Sequence, residues 1–217
     1  LIFPVGDAIA KHLVSTYDVM LILWLKYLVQ TALVAGFILM TLPLATFKTK
    51  RPGLQIARGL AGIGSYGVFL TAINFIPLAD AIAIEFTSPI FVAVLAVPIL
   101  GETVGARRWA AILVGLVGAL LIVRPGLGIV HWAASLMLVA AMSIAFMQIF
   151  SRLIALTEHP LTTLFYTSAT ALALTTPAIP FAWGHLSAAD WGMMIAVGAI
   201  AGFCHWLFIR SFEFATA

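Results

Sequence analysis

Residues 72–128 read AINFIPLADAIAIEFTSPIFVAVLAVPILGETVGARRWAAILVGLVGALLIVRPGLG, with a short charged corner at 101–108. The corner separates two apolar spans of roughly 20 residues each, and that length at about 1.5 Å rise per residue crosses a hydrocarbon core of about 30 Å. The corner itself cannot lie in lipid, because Glu102, Arg107, Arg108 and the open backbone would find no partners there. The stretch is therefore expected to form a hairpin of membrane helices with its turn in water. Arg107 and Arg108 assign that turn to the cytoplasmic side.

The rest of the chain has the same character. Hydrophobic residues make up 63% and charged residues 9%, whereas a soluble domain carries about 25% charged residues. Most of the surface must then face something other than water. The formal charge of +3 is spread along the chain and does not point to nucleic acid. The single cysteine, Cys204, lies in an apolar run, so no disulfide framework is expected. The chain begins at Leu1 and stops at Ala217 within an apolar run, and both ends read as cut.

Eight crossings are expected. The end of a first helix falls in residues 1–17, and a second covers 19–44 with Asp18 as its N-cap. The third covers 56–76 and stops at Pro77, the fourth 81–100, the fifth 106–124 before Arg124-Pro125-Gly126, and the sixth 130–154. The seventh covers 160–182 and opens on Pro160, a favourable first position. Ser187 and Asp190 have capping-box spacing ahead of the eighth, which runs to the chain end. On this reading Lys48, Lys50, Arg51, Arg58, Arg107, Arg108 and Arg152 fall in alternate loops on one side, against Lys11 and Arg124 on the other. That bias makes the loops 45–58 and 101–108 cytoplasmic. Trp109, Trp132, Trp183 and Trp191 fall near helix ends, where interfacial belts lie.

Helix three overlays helix eight. Residues 59–78 align with 198–217, so that Gly59 meets Gly198, Phe69 meets Phe208 and Phe75 meets Phe214. A copy five helices later is inverted in the membrane, the arrangement of secondary transporters whose substrate binds between repeats. The expected organisation is a first repeat at 1–126 and an incomplete second at 127–217.

Several local features also resemble a known family. They are Pro77-Leu78-Ala79, Ser88-Pro89, Leu100-Gly101-Glu102, Arg107-Arg108-Trp109, and Gly115 to Gly118 before Arg124-Pro125-Gly126. Residues 3–11 (FPVGDAIAK) are similar to the family's first helix, and Trp24-Leu25-Lys26-Tyr27 to its second. The resemblance is to the EamA family of the drug/metabolite transporter superfamily and covers essentially the whole chain. It implies an all-α, polytopic integral membrane bundle of two inverted five-helix repeats, with about eight helices present here. It also implies residence in a bacterial inner (plasma) membrane.

Ionisable and polar groups inside membrane spans point to function. The expected substrate path is built from Asp7, Lys26, Tyr27, Tyr66, Asn74, Glu85, Ser88 and His205. Lys26 and Glu85 enter from the same side, so they either pair or present opposite charges to a zwitterionic solute. Pro89 and Pro98 are candidates for a bend or gate in helix four, since proline frees a carbonyl. Ala111, Gly115 and Ala119, and likewise Gly198 and Gly202, have spacings that let helices approach closely. Packing within the bundle is the simpler use of these spacings, and a homodimer face is the other. Glu213 follows Arg210 by three residues, an intrahelical pair. Gly62-Ile63-Gly64-Ser65-Tyr66-Gly67 matches the dinucleotide fingerprint in letters only, because no strand precedes it. The five histidines show no metal-ligand spacing, so no metal or cofactor is expected.

The function this supports is secondary transport of a small organic metabolite by alternating access. The solute is unresolved among amino acids, vitamins and amphiphilic metabolites, and the lipid bilayer is the other partner. A P-loop is absent from the sequence. An integral-membrane enzyme acting on a lipid-linked substrate would need a convergent polar cluster. A channel or assembly subunit sits poorly with the internal repeat.

Overall fold

The computed structural model describes residues 3–123, 132–155 and 157–215. The elements are α1 (Phe3–Val14), α2 (Val19–Thr41), a 3-10 turn (Leu44–Phe47), α3 (Pro52–Phe75), α4 (Leu78–Glu85) and α5 (Ser88–Leu100). They continue with α6 (Ala106–Val123), α7 (Ala133–Ala155), α8 (Pro160–Thr175), a second 3-10 turn (Thr176–Ala178), α9 (Ile179–Ala182) and α10 (Ala188–Ala215). No strand occurs among the described residues. Five segments are long and apolar enough to cross a membrane: Val19–Thr41, Pro52–Phe75, Leu78–Leu100, Ala133–Ala155 and Ala188–Ser211. Large apolar side chains such as Phe37, Met40, Val114 and Phe181 face outward, as a bundle in lipid requires.

Local sequence chemistry sets most of the boundaries. Asp18 caps α2 by accepting from Met20 N at 2.7 Å. Helix α3 stops at Phe75 because Ile76, ahead of Pro77, is extended. Gly101 ends α5 in the left-handed conformation, at φ 68°. Ser187 and Asp190 form the expected box at the start of α10. The Asp190 N–H donates to Ser187 Oγ at 3.2 Å and the Ser187 N–H to Asp190 Oδ2 at 3.3 Å.

Three expectations are corrected. First, α3 begins at Pro52 rather than near 56, because proline suits the first helical turn. Arg58 is therefore in a helix and fully buried, not in a cytoplasmic loop. Second, of the two prolines expected to bend helix four only Pro89 adjoins a break: the single span Leu78–Leu100 is interrupted at Phe86–Thr87 and not at Pro98. Pro89 has no N–H for the Glu85 carbonyl, and Thr87 Oγ1 instead donates to Ile84 O at 2.7 Å. Pro98 sits in the last turn of an unbroken α5. Third, Ala111 and Gly115 on α6 are exposed, and a Cβ on Gly115 would meet nothing within 4 Å. Gly115 thus makes no close helix contact of the kind its spacing suggests among the described residues. The Arg124-Pro125-Gly126 turn, the repeat boundary after it, and the side chains of Ala119 and Glu213 lie outside the described residues.

Lipid tails are as apolar as leucine, so helices in a bilayer associate through close contact and hydrogen bonds. Helix α2 packs against α8 and α10, and α3 packs against α7 and α8. Helix α1 lies on α10, α5 on α7, and α6 at the edge against α4 and α5. The main core gathers Leu21, Leu25, Tyr27, Leu70, Ile73, Met137 and Val197.

Polar contacts tie the two ends of the bundle. At one end Glu158 accepts from Lys50 N (2.6 Å) and Thr49 Oγ1 (3.0 Å), and Arg51 Nη1 donates to Leu153 O at 3.1 Å. Glu102 pairs there with Arg152 at 3.2 Å and Arg108 at 3.6 Å. At the other end Tyr17 donates to Asp190 Oδ2 at 2.7 Å. Lys11 closes the C-terminus of α3 by donating to the carbonyls of Ile73 and Ile76.

Candidate functional site

Residues of α1, α2, α3, α4, α7, α8 and α10 line a partly open cavity of about 200 Å³. Six of the expected site residues line it: Asp7, Lys26, Tyr27, Tyr66, Glu85 and His205. Asn74 does not; it is exposed near the end of α3. Ser88 is buried but stands outside the wall, just past the break between α4 and α5. The two were read from position along a helix, and the rotation of each helix carries them elsewhere.

Lys26 is 2% exposed. Its Nζ stands 3.7 Å from the centroid of the Tyr66 ring and 4.3 Å from that of Tyr27. A desolvated cation over two ring faces gains on the order of 2 kcal/mol from each. Of the two expected arrangements of Lys26 and Glu85, direct pairing is not seen, since they form no ion pair within 4.0 Å. Among the described residues the ion pairs within 4.0 Å all involve Glu102. Tyr66 is steadied by stacking on Phe69, with centroids 5.9 Å apart, and Tyr27 donates to Gly62 O at 3.4 Å. Glu85 is the last residue of α4, so the helix break sits directly at an acid of the wall. Asp7 enters from α1 beside Gly6, whose hydrogen-for-methyl economy admits Ile200 of α10.

Sequence reasoning missed Ser65, Gln148 and Thr167, which also line the cavity, and Arg58 behind them. The signal was present. Gln55, Arg58, Gly62 and Ser65 follow the i, i+3, i+7, i+10 spacing of one helix face. Arg58 Nε donates to Ser151 Oγ at 2.7 Å and Nη1 to Thr167 Oγ1. Those hydroxyls in turn donate to Met147 O (2.6 Å) and Thr163 O (2.7 Å). Gln55 Nε2 donates to Thr163 Oγ1 at 3.3 Å. Arg58 Nη2, Gln55 Oε1 and both amide atoms of Gln30 are buried without a partner among the described residues.

The fingerprint-like glycines lie in mid-helix. Gly62 stands 3.5 Å, measured from an added Cβ, from both Met147 and Thr167. No grouping of three or more metal-ligating side chains occurs among the described residues.

Residues 1–124, more than half of the chain, match the EamA-like transporter family. An S-adenosylmethionine uptake transporter of Rickettsia prowazekii (strain Madrid E) is 24% identical over 170 residues, covering 78% of this chain. The chain spans only 58% of that relative's length. The pseudopaline exporter CntI of Pseudomonas aeruginosa (strain UCBPP-PA14) is 27% identical, covering 99% of this chain and 76% of its own length. A riboflavin transporter of Rhizobium johnstonii is 34% identical over 101 residues, covering 46% of this chain and 33% of its own. One solved crystal structure shares the fold, with a TM-score of 0.70 at 18% identity over 95% of this chain and 74% of that one.

Proposed function

This chain belongs to the EamA-like transporter family, and on that premise we propose that it carries a small organic metabolite across a bilayer by alternating access. The observation that carries the reading is the cavity itself. Ionisable groups gathered in a mainly apolar cavity between membrane helices cost stability unless they are used, and this one joins Asp7, Lys26, Tyr66 and Glu85 from four separate elements. Its two ring faces and its charges of both signs suit an amphiphilic or zwitterionic solute. Relatives are named for S-adenosylmethionine, pseudopaline and riboflavin, which span that range without choosing within it. The break at Glu85 and Pro89 supplies a hinge next to the charged wall.

Two repeats, 1–126 and 127–217, are supported by an exchange of contacts. The second span packs on the seventh and eighth, and the third on the sixth and seventh, as a five-helix repeat pairing two with seven and three with eight would require. The basic end of the bundle is taken as cytoplasmic in a bacterial inner membrane, from the positive-inside rule. A homodimer would use α6, whose Ala111 and Gly115 face outward.

The test is uptake into proteoliposomes by the full-length protein, with the three named solute classes offered in turn. Saturation and counterflow are the expected results. Flux that rises linearly with concentration and shows no counterflow would instead indicate a channel.

A further inference from the structure

We propose that Arg58 is an anion subsite of this cavity, taking a single carboxylate of the solute on its free Nη2 edge. The proposal accepts the preceding reading that the cavity is the solute's path. Arg58 has no solvent exposure, and a guanidinium cannot shed its proton to escape the cost of burial. Its partners among the described residues are neutral. Ser151 and Thr167 accept from it while their own protons are committed to Met147 O and Thr163 O. Hydroxyl acceptors do not offset the desolvation of a full charge. Nη2 is buried with no acceptor at all, and the Gln55 side chain beside it holds a second unpartnered atom.

This polar cluster borders the cavity. Thr167, which holds Nη1, is part of the wall, and so is Gly62, one turn further along α3. Arg58 itself stands behind the wall rather than in it, and a planar guanidinium with an unpartnered Nη2 fits a carboxylate better than it fits a compact anion such as chloride. Asp7 and Glu85 stand in the same wall. A solute bearing both an ammonium and a carboxylate thus meets a counter-charge for each.

The experiment titrates purified full-length protein in detergent with sodium acetate against sodium chloride at matched ionic strength, reading the unfolding midpoint. The expected result is a saturable rise with acetate over chloride in the natural protein. The rise should survive in weakened form in Arg58→Lys and fall by roughly tenfold or more in apparent affinity in Arg58→Met. Arg58→Met removes an uncompensated buried charge and should fold; Arg58→Gln carries the same comparison if it does not. Acetate acting no differently from chloride in the natural protein, or acting equally on Arg58→Met, would overturn the subsite. Solute flux separates this from the transport reading. An acetate response without flux would sink transport and keep the subsite, and flux without an acetate response would do the reverse.

Discussion

Gly59 and Gly198 hold the same structural post on two different helices. A Cβ on Gly59 would fall 2.7 Å from Thr170 Cβ in α8, and one on Gly198 would fall 2.7 Å from Val29 Cβ in α2. The two glycines also align with one another in the overlay of helix three on helix eight. Each marks a close approach of its helix to a neighbour, and the neighbours are themselves partners in the proposed repeat. In lipid that closeness is a principal source of helix association.

Leucine at either glycine should therefore lower the unfolding midpoint in detergent. Overpacking a close contact costs roughly 1–3 kcal/mol, and Gly198 has the harder neighbour because Lys26 O lies 2.9 Å from its added Cβ. Gly115→Leu, on the exposed side of α6, is the control and should stay within about 0.5 kcal/mol of the natural protein.

Replacing the charges of the cavity should reduce flux without unfolding the bundle. Lys26→Met, Asp7→Asn and Glu85→Gln are each expected to lower uptake by roughly tenfold, equivalent to about 1.4 kcal/mol. Lys26→Arg should retain part of the activity, since a guanidinium also lies well over the Tyr27 and Tyr66 rings. Uptake left unchanged by all of the neutral replacements would mean that the solute passes elsewhere.

The two basic corners, 45–58 and 101–108, should label from one side of the membrane. With Cys204 changed to serine, single cysteines at Arg51 and Arg107 should react together with an impermeant thiol reagent added from the cytoplasmic face. A cysteine at His185, near the Tyr17–Asp190 contact, should react from the opposite face. Arg51 and Arg107 reacting from different faces would contradict the ties through Glu158 and Glu102.

The Tyr17–Asp190 hydrogen bond gives a pH signature at high pH. Donation to the Asp190 carboxylate, the largest cause, raises the Tyr17 pKa above its ordinary 10.0. A raised value means that folding favours the protonated phenol. Its contribution is whole below pH 10.0 and fades as the pH climbs through the raised value. Tyr17→Phe should lower the unfolding midpoint at neutral pH and flatten the loss of stability in alkali, both read by thermal unfolding in detergent.

Crossings, caps and turns were legible because each depends on a few neighbouring residues. Asp18, Pro160, Gly101 and the Ser187–Asp190 box need only local backbone geometry to act, and all four do. Six of the eight expected residues do line the cavity, and were legible for a related reason. A buried charge in lipid is costly enough that it rarely lacks a use, so Asp7, Lys26, Glu85 and His205 stood out. Asn74 and Ser88 did not carry that cost, and their position along a helix said nothing about which way they face. Arg58 was misread because α3 begins a turn earlier than its apolar run suggests, extended by Pro52.

The apolar lengths, set against the thickness of a bilayer, determined from sequence alone that this chain threads a membrane. What only the tertiary structure decided is the rotation of each helix about its own axis. Apart from the polar face of α3, the spans are apolar nearly all round, so little in the sequence tells one face from another. Contacts between helices must choose that face, and here they turned Lys26 onto two tyrosine rings, left α6 at the edge and sealed Arg58 behind Thr167.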